Sequence, residues 1–147
     1  MDKVIVKIKG RQKDASGEES FVEMMAEGKH YFRNGKHYVL YQDKMLNEDS
    51  ETDTVLKISS NSLLLLRKGG VCHEQLFEPD KTIRSDYKTP YGKMMLEVRT
   101  KRLSIVCGSI SGNIEIDYEM LVNGKWQSSN QLNIEIDALQ GESSRLN

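Results

Sequence analysis

The sequence predicts an all-β protein, a closed antiparallel meander barrel of roughly eight to ten strands. Three observations predict it. Apolar and polar residues alternate with a period of two along most of the chain, the mark of strands with one buried face. Two Asn-Gly pairs, Asn34-Gly35 and Asn123-Gly124, sit between such runs, and because both turn positions tolerate positive φ, each pair closes a two-residue hairpin. No amphipathic helix of ordinary length interrupts the pattern, which favours neighbour-to-neighbour pairing over βαβ crossovers. A meander has two edges, and closing it on itself removes both. A two-sheet sandwich is the alternative that the same pattern allows.

Taken in order, Val4, Val6 and Ile8 oppose Lys3, Lys7 and Lys9 in the first strand, with Ile5 breaking the alternation. Residues 11–19 are polar, contain Ser16-Gly17, and read as a turn or loose loop. The run 20–27 fits neither period, since Phe21, Val22, Met24 and Met25 share no single face, and its β-rich surroundings assign it to a strand. His30-Tyr31-Phe32 and His37-Tyr38-Val39-Leu40-Tyr41 flank the first Asn-Gly pair. Residues 43–53 form an acidic, solvated loop without the glycine and ligand spacing of a calcium site. Strands resume over 54–58 and again at 63–66, where four unbroken leucines imply burial on both faces or an ambiguous register.

The next strand, 71–78, argues with itself. If Val71 and Phe77 face inward, parity carries His73 and Gln75 with them; if Cys72 and Leu76 face inward, Val71 and Phe77 lie outside. After the turn Pro79-Asp80-Lys81, residues 82–87 lead into Asp86-Tyr87-Lys88-Thr89-Pro90-Tyr91-Gly92. Pro90 lacks an N–H and biases Thr89 towards extended angles, while Gly92 permits angles that other residues resist. This stretch is therefore expected to be a stiff corner and not strand. Beyond it the alternation is clean through Met94, Leu96 and Val98, then Leu103, Ile105 and Cys107, then Ile114 to Val122, and finally Leu132 to Ala138. Residues 1–139 read as one domain and 140–147 as a polar tail.

Composition narrows the functions. Of 147 residues, 29% are charged with both signs interspersed and the formal net charge is −1, so no field would concentrate nucleic acid or an anionic membrane, and neither is expected as a partner. Charges every second or third residue at the amino terminus exclude a signal-peptide core, and the longest apolar block, 63–66, is far short of a membrane helix, so a cytoplasmic protein is expected. Cys72 and Cys107 lack the paired spacing of a zinc site and read as small apolar fillers, with a disulfide or a reactive thiol as the alternatives.

The succession of features also carries a family likeness. The tyrosine-rich hairpin, Leu66-Arg67-Lys68-Gly69-Gly70-Val71, Phe77, the stretch Asp86 to Gly92, Ile116-Asp117-Tyr118 and Asn133-Ile134-Glu135-Ile136 together resemble the YwiB-like proteins of bacteria, a family of unknown function. The resemblance implies a calycin-type, lipocalin-like barrel and supplies no catalytic residues to carry over.

Barrel mouths and interiors are where such folds hold ligands. The side chains that parity and turns can aim there are Arg67, His73, Gln75, Tyr87, Lys88 and Tyr91. Arg67 can clamp a carboxylate or phosphate, or simply pair with a rim carboxylate. His73 suits proton transfer or hydrogen bonding, Lys88 can attract an anion, and Tyr87 and Tyr91 can stack on a ligand or pin the corner. No nucleophile elbow, phosphate-cradling loop or metal-binding helix is present, so no catalytic residue, metal or cofactor is assigned. The acidic row Glu115, Asp117, Glu119, Glu135 and Asp137 lies on the wet face of its strands, a solvated surface and not a catalytic pair. His30 and His37 flank a hairpin turn, but two histidines without a third ligand make a weak metal site. Three functions follow: a small-ligand barrel, an interaction module that docks a partner or a second copy, and, least supported, an enzyme built on Arg67, His73 and Lys88.

Overall fold

The alternating runs become ten antiparallel strands in the computed structural model, which describes residues 2–43, 52–70, 72–108 and 111–139. They are β1 (Asp2–Asp14), β2 (Glu19–Arg33), β3 (Lys36–Asp43), β4 (Thr52–Ile58), β5 (Leu63–Gly69), β6 (Cys72–Phe77), β7 (Thr82–Thr89), β8 (Gly92–Cys107), β9 (Ser111–Val122) and β10 (Lys125–Ala138). Each pairs with its sequence neighbour, and β1 pairs with β10 from Val4↔Ala138 to Asp14↔Ser128, closing the barrel. The sandwich alternative is thereby excluded. Most of the acidic loop and the polar tail expected from the sequence, together with Val71, lie outside the described residues.

Both Asn-Gly pairs turn as expected, with φ of 52° and 76° at Asn34 and Gly35 and 49° and 84° at Asn123 and Gly124. The expected loop 11–19 shrinks to four residues. The Asp14 carboxylate accepts from the Ser16 and Glu18 amides at 2.9 and 3.0 Å, and Arg11 bonds Glu19 at 2.7 Å, so both strands extend to the turn. The expected corner is likewise mostly strand. β7 continues to Thr89, which pairs with Gly92, leaving Pro90 and Tyr91 as the turn. The reason is that Pro90 needs no ladder partner at a turn position, and the Thr89 hydroxyl braces the turn by accepting from the Tyr91 amide and donating to the Gly92 carbonyl, each at 3.1 Å.

Parity settles the two ambiguous strands. Phe77 is 3% exposed and Gln75 1%, so β6 turns His73, Gln75 and Phe77 inward and leaves Cys72 and Glu74 exposed. In β5, Leu63 is fully buried and Leu65 packs on the core, while Leu64 and Leu66 stand half-buried beside their cross-strand neighbours Leu76 and Val55. Exposed Cys72 is therefore no filler, whereas half-buried Cys107 packs on the core, and both thiols are free. On the outer face, Arg102 bonds Asp117 and Glu115 at 3.0 Å each, and Lys101 lies 3.3 Å from Glu119. Glu115, Asp117 and Glu119 of the acidic row are thus paired with cations outside the barrel.

One wall is thin. Among the described residues, β6 and β7 share ladder pairs only at Cys72↔Lys88 and His73↔Tyr87.

Candidate functional site

Inward side chains fill the barrel unevenly. Val4, Val39, Ile58, Ile114 and Ile136 pack one half, and His30 and His37 stopper its end. His30 is 8% exposed; the two rings stack with centroids 5.2 Å apart, and His30 Nε2 lies 2.9 Å from His37 Nδ1. Burial, and then the neighbouring His30, push the His37 pKa down. The void beside the pair is about 10 Å³, room for a single water, and no group of three or more metal-ligating side chains forms among the described residues. This end is a stopper.

The opposite end holds a cavity of about 520 Å³ that opens to solvent. It exists because inward positions there are small: Gly10 and Ser20 line it from β1 and β2. Its walls are Leu65, Phe77, Leu96, Val98, Tyr118 and Leu132, and its polar groups include Arg67, His73, Gln75, Tyr87 and Asn130. Phe77 meets Tyr118 edge-on at 5.3 Å, and His73 meets Tyr87 edge-on at 5.0 Å.

A side-chain chain bridges the thin wall between β6 and β7, and its polarity can be deduced. The Leu76 carbonyl only accepts, so the Gln75 atom 3.0 Å from it is the amide nitrogen. Gln75 Oε1 therefore faces Ser85 and takes its hydroxyl proton at 2.9 Å. Having given its one proton, Ser85 Oγ must accept from His73 Nε2 at 3.0 Å. His73 is thus the Nε2–H tautomer, with a lone pair on Nδ1. Burial, and then the Arg67 charge, push its pKa down from 6.5 to about 4, with Gln75 acting in the opposite direction, so the ring is neutral at pH 7. The same guanidinium acts on Tyr118, whose pKa burial pushes up and Arg67 lowers.

Four of the six candidates from the sequence meet here: Arg67, His73, Gln75 and Tyr87. Arg67 and His73 are direct cross-strand partners, as are His73 and Tyr87. Lys88 and Tyr91 do not join them. Lys88 alternates with inward Tyr87 and faces solvent, and Tyr91, at the turn, is 99% exposed. Arg67, His73 and Lys88 therefore do not converge on the cavity, since Lys88 lies on the other face of the wall. Ser85, Tyr118 and Asn130 were missed. Strand parity from Tyr87 points to Ser85 directly, but reading residues 86–92 as a corner hid it.

A family model described as a domain of unknown function (DUF1934) matches residues 6–134. The chain is 25% identical over 118 residues to the uncharacterized β-barrel protein YwiB of Bacillus subtilis (strain 168), covering 80% of this chain and 82% of that protein. The crystal structure of YwiB from Bacillus subtilis has the same fold, with a TM-score of 0.84 at 23% identity over 93% of this chain and 92% of that one.

Proposed function

This chain belongs to the DUF1934 family of β-barrels, and we propose that it binds a small, mostly apolar molecule in the open end of a lipocalin-like barrel. The observation that carries the reading is the cavity of about 520 Å³. That size falls within the range of small-molecule sites, and aliphatic and aromatic walls around a few convergent polar groups are what such sites use. Among the described residues the other end is stoppered, so the ligand enters past Met94, Met120 and Val122, which line the cavity on β8 and β9.

The test is titration with N-phenyl-1-naphthylamine, an uncharged dye that fluoresces when it leaves water. The wild-type protein takes up the dye saturably at one site. Leu65→Trp and Val98→Phe, which fill the cavity, abolish uptake while the protein still unfolds cooperatively, and Lys88→Ala on the outer face changes nothing. Absence of saturable uptake, or uptake that ignores both filling variants, refutes ligand binding and leaves the interaction module as the reading to pursue.

A further inference from the structure

We propose that the ligand carries an uncharged hydrogen-bond donor, a hydroxyl or an amide N–H, and that His73 Nδ1 is the atom that reads it. This inference rests on the small-ligand reading above and specifies the chemistry of the head group. Its basis is the direction of the hydrogen bonds across β6 and β7. The Gln75 amide is turned onto the Leu76 carbonyl and the Ser85 hydroxyl is committed to Gln75 Oε1. That leaves His73 Nε2 donating to Ser85. The Ser85 hydroxyl proton and the His73 Nε2 proton are both committed to neighbours inside the wall, and what His73 has left is a lone pair.

Nδ1 has no geometrically formed hydrogen bond among the described residues, and the half-buried His73 ring that carries it lines the cavity. A lone pair open to solvent in a mostly apolar cavity is a specificity element, because a ligand without a donor strips water from it and returns nothing. Ammonium donors are disfavoured, since the Arg67 charge reaches this ring. The low pKa of His73 supports the same picture, because the lone pair persists at neutral pH. The apolar walls then take the body of the molecule, with Leu65, Phe77 and Val98 on its flanks.

The experiment compares four C10 competitors for the bound dye at pH 7: 1-decanol, decyl methyl ether, decanoate and decylammonium. One lost hydrogen bond is worth about a factor of five to ten, so 1-decanol displaces the dye at about five- to tenfold lower concentration than the ether, and decylammonium is weaker than the alcohol. His73→Phe removes the advantage of the alcohol over the ether. Lys88→Ala, on the outer face, keeps both dye uptake and the advantage of the alcohol, and His73→Gln, which can still donate to Ser85, separates loss of the wall from loss of the ring's lone pair. Equal displacement by alcohol and ether in the wild type overturns the inference, as does decanoate outcompeting 1-decanol, which would assign the head group to an anion at Arg67. In either case, dye uptake that responds to Leu65→Trp leaves the binding reading intact; failure of dye uptake sinks both.

Discussion

Acidification should weaken this protein through one imidazole. His73 has a folded-state pKa of about 4 against an ordinary 6.5. Between those values the unfolded chain binds a proton that the folded chain refuses, so stability falls as pH drops from about 6.5 to about 4 and levels off below that. Above 6.5 both states are neutral and the ring adds no pH dependence. The full difference corresponds to roughly 3 kcal/mol. The ring is only half-buried and borders an open cavity, so solvent screening reduces the working figure to about 1.5 kcal/mol. Urea unfolding at about pH 7 and about pH 4.5, on the wild type and on His73→Gln, isolates this contribution, because the carboxylates titrate alike in both proteins. The wild type should lose about 1–1.5 kcal/mol more than the variant on acidification. Equal losses, or a larger loss in the variant, would refute the reasoning and mean that the ring titrates near its ordinary value.

The remaining predictions concern the frame. Gly28→Ala would place a Cβ 2.6 Å from the Leu40 carbonyl oxygen and 3.3 Å from Tyr41 Cβ, forcing β2 away from β3. A loss of about 1–3 kcal/mol, seen as a fall in Tm of roughly 5–10 °C, is expected, and an unchanged Tm would contradict that close approach. Ile116→Ala, at a fully buried position, should cost about 2–5 kcal/mol in chemical unfolding. Arg102→Ala removes the bonds to Asp117 and Glu115 from an exposed surface and should leave the unfolding midpoint within error at physiological salt. A large shift there would mean the outer charge row is structural.

The barrel was legible because period-two alternation and the Asn-Gly pairs are local signals: Ile114, Ile116 and their alternate neighbours announce an inner face without any knowledge of partners. The cavity was legible in part. Phe77 facing inward forces His73 and Gln75 inward by parity, and that dependence can be stated from the sequence even where its direction cannot. What sequence could not supply is where ladders stop. Parity from Tyr87 could place Ser85 inward, but nothing in residues 72–77 or 82–89 says that β6 and β7 pair over only two positions among the described residues, so its bridging role could not be anticipated. The error at Pro90 has a different origin. A proline and a glycine two residues apart mark a turn but not its length, and a two-residue turn leaves the flanking side chains in strand alternation, which sends Lys88 outward.

Among the described residues, the two-pair junction of β6 and β7 makes this panel of the barrel the one with least backbone to hold it shut, its closure entrusted to an amide, a hydroxyl and an imidazole. Breathing should begin there, and a guest leaning on the imidazole would brace both staves at once. Occupancy would then be written in the slowed deuterium uptake of residues 72–77 and 82–89, far more than in the stoppered half around Ile114 and Ile136.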